Sequence, residues 1–159
     1  MSKKTIDKDL QTIKFNAFSL APLVLSFFKD CTVSKDNVLL AYLILPMIYS
    51  EKWRNLDYGI RTDSDIRNWI MKDKVPTNGL VERLVFFQEF TTTILQYCFD
   101  KKWASLDENN NIIVQNILEW NDPSNATMKY VSKINNLFHG MTVAQIYSSL
   151  GIDKLCLHA

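Results

Sequence analysis

Residues 38–49, VLLAYLILPMIY, carry no charge, and Pro46 is their only interruption. Nothing else in the 159-residue chain is as apolar. A run of this kind has to be hidden from water. A bilayer span needs about 20 apolar residues, whereas this run gives way to Ser50, Glu51 and Lys52. It therefore reads as a core helix that is apolar on every side, with no membrane contact. Ser34 or Asp36 is placed to cap its start through a side-chain oxygen. Pro46 removes a backbone donor, so a kink or an early stop is expected near Leu45.

Upstream, residues 15–28 (FNAFSLAPLVLSFF) form a first apolar block. Ser19 is the expected cap of a helix there, with Pro22 tolerated in the first turn. Residues 1–14 are mostly polar and are expected to be a mobile tail, leaving residues 15–159 as a single helical domain. The first ten residues, MSKKTIDKDL, have no apolar h-region, so no secretion signal is expected. Cys31, Cys98 and Cys156 are odd in number and lack metal-type spacing. They read as free thiols, and the expected location is the cytoplasm.

Downstream, Thr62 is placed to cap a helix in which Asp63 and Asp65 suit the positive end of the dipole. Ile66, Trp69 and Ile70 then share one face, and Arg67 and Asn68 point away. Residues 80–99 predict the longest amphipathic helix. Leu80, Leu84, Phe87, Thr91, Ile94 and Cys98 recur at steps of three and four. Val81, Val85, Phe86, Phe90, Leu95 and Phe99 widen that stripe. Two short β-prone runs follow, residues 103–106 and 112–114, joined by the turn-forming residues 107–111. This predicts a hairpin within residues 103–115. Ser124 then caps a helix with Val131, Ile134 and Phe138 on its apolar face, ended by Gly140. Thr142 and Gln145 form a capping-box start for a short last helix that stops at Gly151. The fold class is mainly α: a helical domain with a winged-helix-like unit and a C-terminal helix pair. That pair resembles a helix-turn-helix, but its second helix, TVAQIYSSL, carries no Arg or Lys to read a base edge.

No catalytic or cofactor motif stands out. Both GxxxxGK[ST] and GxGxxG are absent. Cys98 and His139 are a nucleophile and base combination to consider, but Cys98 falls on an apolar helix face, where thiols are usually inert. Two His and three scattered Cys make no zinc site. No cofactor is expected. The net charge of +1 gives no global pull toward nucleic acid. Locally, Lys52, Arg54, Arg61, Arg67, Lys72 and Lys74 surround Trp53 and Trp69, and Lys101 and Lys102 precede the hairpin. Trp and Arg together suit a protein interface, a nucleic-acid backbone or a solvated face over core tryptophans.

Three blocks carry a family resemblance: VLLAYLILPMIY followed by RTDSDIRNWI, the helix-to-hairpin unit VERLVFFQEFTTTILQYCFDKKWASLDENNNIIV, and the C-terminal VSKINNLFHGMTVAQIYSSLGI. Their order and spacing resemble the middle component of bacterial three-component ABC systems, which include Lamassu-type anti-phage systems. The loop before Arg61 departs from that pattern, reading Leu56-Asp57 in place of Leu-Pro. The resemblance implies a non-enzymatic scaffold bound to an SMC-like ABC ATPase and to an effector subunit, often a nuclease, with DNA engaged only through the complex. It implies that the effector is held inactive until foreign or plasmid DNA is sensed. The expected partner interface is Trp53, Arg54, Arg61, Arg67, Trp69 and Trp103. The competing expectation is a stand-alone winged-helix DNA binder that uses Lys101 and Lys102 on the phosphates.

Overall fold

A computed structural model describes residues 17–54, 64–71, 77–115 and 125–152. The expected tail at residues 1–14, Arg61, the Thr62 cap, Lys72, Lys74, Ser124 and Cys156 lie outside the described residues. Helix α1 is Ala17–Lys29. A 3-10 turn, Asn37–Leu40, leads into α2, Ala41–Ile48. Short α3, Glu51–Arg54, and α4, Ile66–Met71, follow. Long α5, Leu80–Asp100, runs into strands β1, Ala104–Leu106, and β2, Ile112–Val114. Helices α6, Asn125–Phe138, and α7, Val143–Ser149, close the order.

The apolar run lies where its composition requires. Leu40, Ala41, Leu43, Ile44, Leu45 and Met47 are each fully buried. Helix α2 continues through Pro46 to Ile48 rather than stopping at Leu45. The lost hydrogen bond costs about 3 kcal/mol, and burying each neighbouring Leu or Ile returns about 1.5–3 kcal/mol. Helix α1 contributes a second buried run, with residues 20–28 all buried. Ser19 and Pro22 both sit inside α1, so Ser19 is not its cap. Helix α1 packs on α5, α6 and β2, while α2 packs most extensively on α5. The ring of Phe27 meets Phe28 and Phe138 edge-on, with centroids 5.1 and 6.1 Å apart. Asn135 donates to the Phe27 carbonyl at 2.7 Å, and the Tyr130 hydroxyl donates to the Met47 carbonyl at 3.3 Å.

The stripe on α5 is buried as its spacing requires: Leu80, Leu84, Phe87, Thr91, Ile94 and Cys98 all face the core. Val85 and Phe86 do not; they are exposed. The strands pair antiparallel with Ser105 opposite Ile113. At the described start of α4, Asp65 accepts the Arg67 amide at 2.7 Å. Ile66 is buried, while Arg67 and Asn68 are exposed. At α7 the capping box is complete, with Thr142 and Gln145 each accepting the other's amide. The helix ends in a Schellman turn, in which Ile152 donates to Tyr147 and Gly151 donates to Ser148. Gly151 takes φ +74, which a side chain would strain.

Candidate functional site

The junction of α5 with the hairpin is built by the same kind of turn. Trp103 donates to the Cys98 carbonyl at 2.9 Å and Lys102 donates to the Phe99 carbonyl at 2.9 Å. Lys102 therefore occupies the left-handed position, φ 58, that Gly normally fills. Lys101 and Lys102 are both exposed, and the Lys101 amine lies 5.8 Å from the centroid of the Tyr97 ring. Trp103 is half-buried and meets Tyr97 edge-on, with centroids 5.5 Å apart.

The hairpin is not a free wing, because its tip is bonded to residues 33–38. Backbone amides of Asp36 and Val38 donate to the carbonyls of Asn109 and Asn110 at 2.8 and 3.2 Å. Buried Asn37 donates from Nδ2 to the Val33 carbonyl and accepts the Ile112 amide on Oδ1, at 3.1 and 2.8 Å. Asn111 returns the exchange, accepting the Asn37 amide at 3.2 Å and donating to the Ser34 carbonyl at 2.7 Å. Asp36 makes no cap bond with its side chain. Its carboxylate instead accepts from Asn110 Nδ2 at 2.9 Å. Asp36 and Asn110 are both left-handed, at φ 55 and 56, a conformation that Asp and Asn tolerate. Asp107 fixes the turn by accepting the amides of Asn109 and Asn111, each at 2.8 Å. The Asn111 amide bond and then its side-chain bond hold the Asp107 carboxyl below its ordinary range.

The expected interface residues separate. Trp53 is 1 % exposed, so its ring belongs to the core and is withdrawn from any surface. Trp69 is half-buried on α4, which packs against α7, whereas Trp103 stands at the α5–β1 junction. Arg67 is exposed but folds back on Asp65 with an N–O distance of 3.1 Å. That bond is the main reason the Asp65 carboxyl lies below its usual range. Exposed pairs of this kind contribute little to stability. Arg54 lies in α3, with its side chain outside the described atoms, as is that of Lys52.

The outward side of α5 was not anticipated. Glu82, Val85, Phe86, Glu89, Thr92, Thr93, Gln96 and Asp100 are all exposed. Periodicity alone puts Val85 and Phe86 in the broad apolar stripe, and only the packing partners decide where such a stripe ends.

Cys98 and His139 do not form a catalytic pair. His139 is exposed, with Nδ1 3.4 Å from the Thr32 hydroxyl, while Cys98 is fully buried. Burial pushes the Cys98 thiol up to about 12. Native Cys98 is therefore expected to resist a thiol reagent at pH 8 until the chain unfolds, as mass mapping of the label would show. An unfolded thiol ionises near 9.0 while the folded one stays protonated, so the stability linked to this thiol is fully present below pH 9 and is lost as pH rises toward 12. No set of three His, Cys, Asp or Glu among the described residues is arranged to hold a metal. Among the same residues, no helix is long and apolar enough to cross a membrane.

Fold and surface thus define a mainly helical protein with a tied-down hairpin and a long exposed helix face. Residues 5–154 match the model of the ABC-three component (ABC-3C) system Middle Component 3 family, and the chain belongs to that family. No curated protein and no solved structure matches it.

Proposed function

We propose that this chain is the non-catalytic accessory subunit of an SMC-like ABC ATPase defence complex of the Lamassu type. It bridges the ATPase and an effector nuclease and helps keep the effector inactive until DNA is sensed. The observation that carries this reading is family membership over residues 5–154. The exposed apolar residues Val85 and Phe86 support contact with another protein.

The stand-alone DNA-binding alternative fits the surface less well. The helix that leads into the hairpin exposes Glu82, Glu89 and Asp100, which repel phosphate. The hairpin tip is occupied by residues 33–38.

The test is a tagged pull-down of this chain expressed together with the neighbouring components, read by mass spectrometry. Recovery of a coiled-coil ATPase is the expected result. A monomer that recovers nothing and shifts DNA at low salt, but not when Lys101 and Lys102 are both changed to Glu, would establish the DNA-binding alternative.

A further inference from the structure

We propose that the outward face of α5 is the docking surface for a basic, amphipathic helix of a partner chain. This rests on the accessory-subunit reading and adds to it the place and chemistry of one contact.

Along α5, Glu82, the adjacent pair Val85 and Phe86, Glu89, Thr93, Gln96 and Asp100 recur at steps of three and four, and all are exposed. At 3.6 residues per turn this spacing makes one straight stripe. At 1.5 Å per residue it runs about 27 Å, enough to seat five turns of a second helix. Val85 is 57 % and Phe86 37 % exposed, which is unusual for two adjacent large apolar side chains on a helix that buries its other face. Val81 and Phe90 flank them half-buried, forming shoulders to either side of the line. Phe86 is held in place by edge contact with buried Phe87 at 5.0 Å, so it stands ready as an anchor.

The charge pattern selects the occupant. The three charged residues of the stripe are all acidic, and none forms an ion pair with a described residue. An ordinary solvated helix places bases four residues from its acids. Here the positions four residues from Glu82 and Glu89 are Phe86, Val85 and Thr93, and the position four before Asp100 is Gln96, which donates to it at 2.9 Å. The sole base of α5, Arg83, lies off the stripe and is half-buried. Nucleic acid is repelled by such a face. A second copy of this chain would set acid against acid across a two-fold axis. A helix with Lys or Arg on one side of an apolar line satisfies both the acids and the exposed rings.

The test uses the full chain expressed with the other components. Glu82→Lys with Glu89→Lys, and separately Val85→Ser with Phe86→Ser, should each weaken co-purification at least about tenfold at about 0.15 M salt. Their circular dichroism melts should stay close to that of the unaltered chain. A photo-reactive residue introduced at Phe86 should capture a partner peptide with Lys or Arg beside apolar residues at helical spacing. Unchanged recovery of both folded double variants overturns the surface while leaving the accessory role standing, as does capture of an acidic peptide. Should a double variant fail to fold, the crosslink alone decides. Failure of the unaltered chain to recover any component overturns the accessory role and this surface together.

Discussion

Leu40→Asp is expected to abolish folding. Leu40 is fully buried at the point where the 3-10 turn becomes α2, and its neighbours in the core are Ala41, Leu43 and Ile44. The substitution removes about 1.5–3 kcal/mol of apolar burial. It also places a carboxylate where nothing apolar can solvate it, which adds several kcal/mol. A domain of this size has about 5–15 kcal/mol in total, so the sum exhausts most or all of it. Circular dichroism at 25 °C should show a molten or unfolded chain, without a cooperative melt. Leu106→Asp is the matched control: Leu106 is 47 % exposed, and a surface change of that kind stays within about 0.5 kcal/mol. A folded Leu40→Asp protein with an unchanged melt would remove the central run from the core.

That run was legible because absence of charge over three turns admits few environments. The α5 stripe was legible for a related reason, since helical periodicity reports which side faces inward. The hairpin and the α7 capping box were legible because turn chemistry is local. Other features depend on what packs over them. Trp53 beside Arg54 has the composition of an interface, yet Trp53 is enclosed by the core. Phe86 and Phe87 are adjacent aromatics of the same kind. One stacks on Tyr49 at 5.8 Å and is buried, while the other faces out. Pro46 was read from its local cost alone, and the burial of its neighbours outweighed that cost. Within the candidate site, the basic residues were visible in sequence but the acidic line was not, because Glu82, Glu89 and Asp100 align only once α5 is known to be unbroken.

Asn37→Ala should loosen the hairpin from the body of the protein. The Asn37 side chain joins two elements 75 residues apart, a contact no local pattern announces. Removing it strands the Val33 carbonyl and the Ile112 amide, both previously bonded to buried Asn37. Each abandoned buried group costs about 1–3 kcal/mol, so a total of about 2–6 kcal/mol is expected, read as a lower urea midpoint. Asn37→Asp keeps the acceptor for Ile112 but loses the donor to Val33, so it should restore the Ile112 bond while leaving a like-charge problem beside Asp36. Hydrogen exchange separates these effects: the Ile112 amide should exchange faster in Asn37→Ala than in Asn37→Asp. The β1–β2 pairing does not run through Asn37, so the Ile113 amide should keep its protection until global unfolding. Equal acceleration of both amides would mean that the hairpin has no stability of its own and that Asn37 supports the whole unit. In either case the hairpin's position at the end of α5 is set by residues 33–38. A chain whose tip has been released should present α5 and the hairpin to a partner in more than one relative orientation. Its assembly should therefore weaken even though no exposed residue has changed, which separates geometric fixation of the surface from the chemistry of its side chains.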